Sequence, residues 1–322
     1  MATTEEILQS LAAIPNLQIA EHVALSAYTR FGIGGPADAV VETTHAESFT
    51  SALQLVRDSQ IPFVVIGGGS NLIVADDGFR GIVLKFGGRS IRLDGTRAIA
   101  EGGAVLQDLV DATIAAGLSG IHTMTGIPGS VGAAVYGNAG AYGHSISEWT
   151  RAVRFFDGAA VRTFDNAQCE FHYRESVFKK QKDWIVLSVE LALQRGEASE
   201  LKAQADGILE LRNEKYPPTM KCAGSIFKNY LLAELPPSVA AELPKNVIRE
   251  GKVPSAYFLE QVGAKGMRVG DIHVAEYHAN LIYNSGGGTA RDLVTVIQEL
   301  KRRIGERFGI PLEEEVQYVG QV

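Results

Sequence analysis

Three consecutive glycines constrain the fold of this chain more than any other feature. They lie in VIGGGSNLIVADDGF, residues 65–79, directly after a short apolar run. Glycine at such a place means that the backbone bends through conformations that other residues avoid, or that another group approaches it closely. The apolar runs around an Asp-Asp-Gly turn predict that strands, not a helix, come after the glycines. A Rossmann site requires a helix after its glycine turn, so this loop is not typical of that fold.

A glycine loop without a helix can hold a phosphate through successive backbone N–H groups that form a concave nest. The residues predicted to do so are Gly67, Gly68, Gly69, Ser70 and Asn71. A tight turn between strands explains the same residues when they are taken alone. A second glycine-rich segment, GIPGSVGAAVYGNAGAYG at 126–143, favours a ligand, because Ser130 and free backbone amides there can face the same molecule. The two loops together predict one long ligand that lies across both.

Two further glycine motifs have plainer explanations. GIGGPA at 32–37 matches the Rossmann pattern literally, but Pro36 disturbs the turn and a strand, DAVVE, comes after it. Three glycines at 286–288 precede a predicted helix, where Thr289 with Asp292 is typical of an ordinary helix N-cap. A Rossmann site is therefore not expected at 32–37, and a structural role is expected for the glycines at 286–288.

Composition and charge restrict the class of protein. The chain has 322 residues, which predicts two domains or more, and its net charge of −7 argues mildly against a nucleic-acid partner. No run of about 18 apolar residues is present, so no membrane span is expected. The only cysteines, Cys169 and Cys222, predict a reduced cytoplasmic protein without a disulfide framework. Cysteine and histidine occur in isolated pairs, and no metal site is expected.

Hydrophobic periodicity predicts a mixed α+β organisation in at least two lobes. The predicted strands include DAVVE (38–42), IPFVVI (61–66), AVRFF, WIVLSVEL and EEVQYVG, and the predicted helices cover roughly 46–58, 104–118, 197–214 and 290–308. The last helix is predicted to bury Leu293, Ile297, Leu300 and Ile304, which recur at helical spacing.

Seven segments, taken in order, carry a resemblance to a known family. They are TRFGIGGPAD, VIGGGSNLIVAD, GIPGSVGAAVYGNAGAYG, YRESVFK, GSIFKN, the Gly-Ala-Lys-Gly-Met run at 263–267 and LEEEVQYVG, and they span residues 29–320. The chain resembles the UDP-N-acetylenolpyruvoylglucosamine reductases (UDP-N-acetylmuramate dehydrogenase, MurB). One such motif is weak evidence, whereas seven in sequence are highly specific.

The resemblance implies a fold and a reaction. It implies a vanillyl-alcohol-oxidase-type (PCMH-type) FAD-binding fold in residues 1–196, with subdomains at about 20–88 and 89–196. Residues 197–322 would form a C-terminal α+β substrate-binding domain, and the last strand near 312–320 is a candidate for returning to the active site. NADPH would reduce FAD and leave, and the enolpyruvyl ether of UDP-N-acetylglucosamine would then be reduced to UDP-N-acetylmuramate for peptidoglycan synthesis.

The resemblance also implies three catalytic residues. Arg174 in YRESVFK matches a donor to the substrate carboxylate, and Ser225 in GSIFKN matches the proton donor. Glu315 in LEEEV matches the third family position, where a carboxylate would hold a protonated group or stabilise the enol. The residues themselves allow plainer interpretations: a surface arginine paired with Glu175 or Glu170, a turn serine, and a solvated strand edge.

The remaining site residues come from the same motifs. The predicted FAD-binding set adds Gly126, Ser130, Gly132 and Gly140 to residues 67–71, and the predicted substrate-binding set is Tyr142, Arg212, Lys215, Asn229 and His278. Arg212 and Lys215, at i and i+3 near a helix end, suit two phosphates, although cations at a helix C-terminus are also favoured by its dipole. His278 stands where some relatives carry glutamine, and its role is left open.

The chain differs from the family in two respects, and two other functions are alternatives to this prediction. The chain is expected to fall in the subclass without the tyrosine loop that covers the substrate, and its connection at 230–252 is longer than in the shortest relatives. Another flavin oxidase or dehydrogenase of the same fold, or a non-catalytic nucleotide-binding protein, would share the glycine loops. The expected partner is a small nucleotide sugar, with no nucleic acid, membrane or obligatory protein partner.

Overall fold

The computed structural model describes residues 3–322, which form helices and short strands throughout. The α-helices are α1 (Thr4–Ala12), α2 (Ala46–Ser59), α3 (Leu106–Ala115), α4 (Val131–Tyr136), α5 (Val177–Lys180), α6 (Ala198–Lys215), α7 (Pro237–Ala241), α8 (Ser255–Gln261) and α9 (Ala290–Phe308). Short 3₁₀ helices cover Leu25–Tyr28, Ile121–Met124, Ile146–Glu148, Ala167–Cys169, Leu232–Glu234 and Lys245–Val247. In this described part of the chain, no helix has the length and apolar character that crossing a bilayer requires.

The strands are mostly short. They are β1 (Gln18–Glu21), β2 (Ala37–Thr43), β3 (Phe63–Ile66), β4 (Leu72–Val74), β5 (Phe79–Phe86), β6 (Ile91–Asp94), β7 (Arg97–Glu101), β8 (Leu118–Ser119), β9 (Gly140–Ala141), β10 (His144–Ser145), β11 (Thr150–Phe156), β12 (Val161–Asp165), β13 (Ile185–Ala192), β14 (Gln194–Arg195), β15 (Lys221–Ser225), β16 (Tyr230–Leu231), β17 (Lys252–Val253), β18 (Arg268–Val269), β19 (Ile272–Ala275), β20 (His278–Asn284) and β21 (Gln317–Val319).

The chain divides into two compact units, each built from separate segments. The first unit comprises the residues up to Val23, Ala37–Gly69 and Arg80–Glu214, and the second comprises Ala24–Pro36, Ser70–Phe79 and Lys215–Val322. The predicted boundary at 196/197 falls before α6, whereas the first unit extends through nearly all of that helix. The assignment of cofactor and substrate roles to the two predicted domains stays a prediction.

The first unit contains two sheets and two apolar cores. Strands β1-β2-β5-β3 form one sheet, in which β3 runs parallel to β5, and α2 buries Phe49, Leu53 and Val56 in its core as the helical spacing predicts. The other sheet has the antiparallel order β12-β11-β13-β7-β6, and its core includes residues of α3 and α4.

The two glycine-rich segments lead into different elements. After Gly67–Gly69 the chain continues into β4, so the predicted strand-loop-strand order is confirmed. The segment at 126–143 instead starts the short helix α4, which the sequence analysis did not predict. Ser130 is its N-cap, because the Ser130 hydroxyl accepts a hydrogen bond from the N–H of Ala133.

The second unit is organised around the sheet β15-β20-β19-β18 and the helices α8 and α9. Helix α9 has the predicted bounds, and its four predicted core residues are fully buried. Thr289 and Asp292 form a reciprocal capping box, which confirms the structural role expected for the glycines at 286–288. Each buried aliphatic side chain contributes about 1.5–3 kcal/mol, so this face anchors the helix.

Two short early segments complete the second unit. Phe31 and Ile73 lie in its apolar core, and β4 pairs in parallel with β21, with Leu72 opposite Gln317. The carboxylate of Asp76 accepts hydrogen bonds from the N–H groups of Ala290 and Arg291, at 2.8 and 3.0 Å. The start of α9 is therefore closed by a residue that lies far away in the sequence.

Candidate active site

The two glycine loops of the first unit touch each other through their backbones. A Cβ atom at Gly67 would lie 2.9 Å from Oγ of Ser130, and one at Gly68 would lie 3.3 Å from Cα of Gly129. There is no room for larger side chains at this contact. Close approach of the loops is thus one physical reason for glycine at these positions.

The amides of the first loop are available to a ligand. Within residues 3–322, no acceptor receives a hydrogen bond from the N–H groups of Gly67, Gly68 or Gly69. Gly69 is nevertheless buried, and its φ of 65° turns the chain into the left-handed region. Because a buried N–H without an acceptor is costly, the loop fits an anionic group such as the diphosphate of FAD.

Local packing accounts in part for the glycines and the serine of the second loop. The N–H of Gly132 donates to the Gly102 carbonyl at 2.8 Å, and a Cβ there would lie 2.9 Å from the same oxygen. Gly140 pairs with Ser145 in the β9–β10 hairpin. The Ser130 hydroxyl is used as a helix cap. Their predicted contacts with FAD therefore stay predictions.

Arg212 lies against the second glycine loop. A Cβ at Gly126 would be 3.1 Å from Cδ and Nε of Arg212, and Gly126 also has a φ of 76°. Lys215, the last residue of α6, places its Nζ 5.0 Å from the centre of the Tyr216 ring. Its carbonyl accepts a hydrogen bond from the Tyr277 hydroxyl at 2.9 Å. The two cations predicted to bind phosphates thus have different surroundings.

Arg174 and Tyr142 both have left-handed backbone conformations. Their φ angles are 58° and 53°, a region that non-glycine residues rarely adopt. Nη2 of Arg174 donates to the Gly140 carbonyl at 3.2 Å, and Tyr142 lies in the hairpin turn next to it and is exposed. Gln60 and Glu170, which cap helix ends, have the same conformation, so backbone strain alone does not assign a function to Arg174 and Tyr142.

Ser225 and Glu315 lie on neighbouring chain segments in the second unit. The N–H of Glu315 donates to the Ile226 carbonyl at 2.8 Å, and Phe227 pairs with Glu314 in an antiparallel bridge. The structure of the second unit therefore brings Ser225 and Glu315 together. Both are half-buried.

The other two acids of the LEEEV motif have structural partners. Glu313 forms an ion pair with Lys228. Both carboxylate oxygens of Glu314 accept hydrogen bonds from Nζ of Lys301 at 2.9 Å, and the Glu314 side chain is only 14% exposed. Glu314 is therefore not part of a solvated edge.

Asn71 holds the segment that carries Glu315. Its Nδ2 donates to the main-chain carbonyl of Glu315 at 2.8 Å, and its own carbonyl accepts from the N–H of Gln317 at 2.9 Å. Sequence analysis predicted only cofactor binding for Asn71, a role that stays a prediction. Ser70, beside it, is half-buried.

The last two predicted substrate residues are also in the second unit. Oδ1 of Asn229 accepts from the N–H of Ser255 at 3.3 Å. Burial, together with the charge of Lys215, lowers the pKa of His278 to about 4, so its imidazole is neutral at neutral pH. Nδ1 of His278 accepts from the N–H of Asn280 at 3.2 Å.

Two residues near Ser225 were missed by the sequence analysis. The Tyr216 hydroxyl lies 3.0 Å from Oγ of Ser225. The buried Asn280 accepts from the N–H of Phe227 and donates to its carbonyl, both at 2.9 Å, and also donates to Oγ of Ser255 at 2.7 Å. Tyr216 comes directly after Lys215, but nothing in its local sequence indicates a partner nine positions away.

Comparison with known proteins gives concordant results for both parts of the chain. Residues 37–160 match a family model described as an FAD binding domain, and residues 216–319 match the C-terminal domain of UDP-N-acetylenolpyruvoylglucosamine reductase. The UDP-N-acetylenolpyruvoylglucosamine reductase of Solibacter usitatus is 63% identical over 310 residues, covering 96% of this chain and 99% of that protein. The enzyme of the same name from Anoxybacillus flavithermus is 34% identical, covering 98% of each chain. The crystal structure of the Thermus caldophilus reductase (MurB) is 29% identical with a TM-score of 0.74, covering 94% of this chain and 100% of that one.

The fold, the open glycine loop and these matches define an FAD-dependent oxidoreductase with a PCMH-type FAD-binding fold and a C-terminal α+β domain. The predicted fold class, enzyme class and cofactor are thereby confirmed. The chain belongs to the UDP-N-acetylenolpyruvoylglucosamine reductase family. Its reaction is the NADPH-dependent, FAD-mediated reduction of UDP-N-acetylglucosamine enolpyruvate to UDP-N-acetylmuramate in peptidoglycan precursor synthesis.

Proposed function

We propose that Arg174, Ser225 and Glu315 carry the chemistry of this reduction. Reduced FAD, when bound, supplies hydride to the terminal carbon of the enolpyruvyl group. Negative charge then develops on the adjacent carbon and on the carboxylate, where cationic and donor groups lower the barrier. The guanidinium of Arg174 binds the carboxylate as a planar fork, and the hydroxyl of Ser225 delivers a proton to the adjacent carbon.

Glu315 is the group that we assign to the enol form. The observation that carries the proposal is the pairing of the Glu315 N–H with the Ile226 carbonyl, next to Ser225. This pairing supports the proposal because main-chain atoms hold the segments of Ser225 and Glu315 together. The arrangement therefore does not depend on either side chain. From that position the Glu315 carboxyl group would either hold a protonated group beside the reacting carbon or stabilise the enol.

FAD and the nucleotide sugar are assigned to different residues. We assign the diphosphate of FAD to the amides of Gly67–Gly69, and the predicted second loop contributes Gly126, Ser130, Gly132 and Gly140. The nucleotide sugar is assigned to Tyr142, Arg212, Lys215, Asn229 and His278. Charge supports Arg212 and Lys215 for the UDP phosphates, and the contact of Arg212 with Gly126 equally supports a role beside the cofactor loop.

A test separates the two half-reactions. Ser225→Ala should leave the reduction of FAD by NADPH nearly intact, since no proton donor to carbon is needed there. Reoxidation of the reduced enzyme by the enolpyruvyl substrate should slow by several orders of magnitude. Stopped-flow absorbance of the flavin measures both rates, and Ser285→Ala, at an exposed serine of the same unit, is the matched control. Equal slowing of both half-reactions in Ser225→Ala would show that the residue is structural.

The proposal also covers the cellular location, the partners and the subclass of the enzyme. A UDP-linked substrate and buried cysteines without disulfides support a cytoplasmic enzyme. The net charge of −7 supports the absence of a nucleic-acid partner, and the proposal includes no membrane or obligatory protein partner. We place the chain in the subclass without the tyrosine loop because the segment between β13 and α6 is short. A visible spectrum of the purified protein, before and after NADPH is added, tests the flavin load and the hydride donor directly.

A further inference from the structure

Tyr216 contacts the residue that we assign as proton donor. Its hydroxyl lies 3.0 Å from Oγ of Ser225, within hydrogen-bond distance, and either oxygen can be the donor. Tyr216 comes directly after α6 and is half-buried, so the hydroxyl contact is made while part of the ring remains near solvent.

The direction of this hydrogen bond is fixed by the chemistry at Ser225. To protonate a carbon atom, Ser225 must aim its own O–H at the substrate, so its oxygen has to accept a hydrogen bond from elsewhere. The Tyr216 O–H is placed to donate it. As the proton leaves, negative charge grows on Oγ, and a donor already in position stabilises that charge without reorganisation.

We propose that Tyr216 is a positioning residue that orients the Ser225 hydroxyl and returns a proton to it. The inference rests on the proposed role of Ser225. In one concerted step, the Ser225 O–H bond breaks as a C–H bond forms on the substrate, while the Tyr216 O–H bond breaks as the Ser225 O–H bond forms again. The Tyr216 phenolate then takes a proton from bulk water, which supplies the proton that the overall reduction consumes.

Lys215 and His278 also lie near Tyr216. Nζ of Lys215 lies 5.0 Å from the centre of the Tyr216 ring, and the His278 ring is 6.4 Å away, measured between ring centres. The positive charge of Lys215 attracts the negative charge that the proposed step places on the phenol.

Tyr216→Phe tests the proposal, because it removes only the hydroxyl. Reduction of FAD by NADPH should stay within twofold of the native rate, whereas reoxidation by the enolpyruvyl substrate should slow about 10²- to 10⁴-fold, the range that a positioned proton-transfer group typically contributes. Tyr257→Phe, at a half-buried tyrosine of α8, is the matched control and should change neither rate. Native reoxidation in Tyr216→Phe would overturn the proposal.

The double variant distinguishes a positioning role from an independent one. If Tyr216 acts only through Ser225, then Tyr216→Phe should have no further effect on reoxidation in the Ser225→Ala background. Additional slowing there would overturn the proposal. Native-like reoxidation by Ser225→Ala itself would instead refute the proposed role of Ser225, so the two failures are distinguishable.

A comparison of isotope effects gives a second readout. The rate of reoxidation is recorded in mixtures of light and heavy water for the native enzyme and for Tyr216→Phe. The hydrogen delivered by reduced flavin also exchanges with water, so only the difference between the two enzymes reports on Tyr216. The native plot should be more strongly curved, and equal curvature in both enzymes would overturn the relay through Tyr216.

Discussion

Single residues differ in how far away their partners lie along the chain. Thr289 and Asp292 are three positions apart, and their capping box could be predicted because one helical turn contains all of its chemistry. Asn71 and the Glu315 carbonyl are separated by 244 positions. The residue types near Asn71 favoured a phosphate-binding loop. Its contact with Glu315 could not be predicted, because only tertiary packing brings the two residues together.

The contact between the glycine loops gives a prediction at this scale. Gly67→Ala should weaken FAD binding about tenfold or more, because the new methyl group would lie 2.9 Å from Oγ of Ser130. Either the serine gives up its cap on α4 or the loops move apart. Titration of the apoprotein with FAD measures the change in Kd.

Gly207→Ala is the matched control for this substitution. Gly207 lies within α6, and an added Cβ would meet no atom within 4 Å. It should leave FAD affinity unchanged and stabilise the helix by up to about 1 kcal/mol. Unchanged FAD affinity in Gly67→Ala would mean that the close approach of the loops is not needed for the cofactor.

At the scale of elements, long periodic segments were predictable and short ones were not. Helix α9 has the predicted bounds because its apolar spacing runs over five turns. Helix α4 has only six residues and is flanked by glycines, so its form depends on packing more than on propensity. The same holds for α7, β16 and β17, which the structure places in the connection at 230–252.

Asn280 links strand β20 to the segment that follows β15 by hydrogen bonds. The strand β20 carries this buried side chain, which satisfies both main-chain groups of Phe227. Asn280→Leu keeps the volume but leaves those groups unpaired, at about 1–3 kcal/mol for each buried group. Urea unfolding should show a loss of about 2–4 kcal/mol in the free energy of unfolding. Asn246→Leu, at an exposed position, should change it by less than about 0.5 kcal/mol.

The Asn280 variant also has a functional readout. Because Phe227 lies two positions after Ser225, the substrate half-reaction should slow more than the reduction of FAD by NADPH. A stable Asn280→Leu variant with native half-reactions would contradict this account of the strand.

At the scale of the whole molecule, the sequence indicated two lobes but not their discontinuous composition. Ala24–Pro36 and Ser70–Phe79 belong to the second unit, where Phe31, Ile33 and Ile73 join the core. Chain order alone would assign those segments to the N-terminal region. Ser70–Phe79 joins the second unit because β4 pairs with β21, and Ala24–Pro36 joins it because Phe31 is buried in its core and hydrogen-bonded by Asn284.

This composition predicts that residues 197–322 do not fold alone. Such a fragment lacks the buried Phe31 ring and the carbonyl of Phe31, which accepts a hydrogen bond from Nδ2 of Asn284 at 3.0 Å. Its near-ultraviolet circular dichroism should show no fixed aromatic packing. In the intact chain, Phe31→Ala should cost about 3–5 kcal/mol, and Phe63→Ala, at a half-buried position, should cost less. A cooperatively folded fragment would contradict the division.

The anchoring of Glu315 has a consequence for how its chemistry can be probed. Its contacts with Asn71 and Ile226 use main-chain atoms of residue 315. Replacing the Glu315 side chain by glutamine therefore keeps the atoms that make these two contacts. A substitution of Glu315 therefore tests what its carboxylate contributes to the reaction rate. A substitution of Asn71 instead tests how much the rate depends on the position of residue 315.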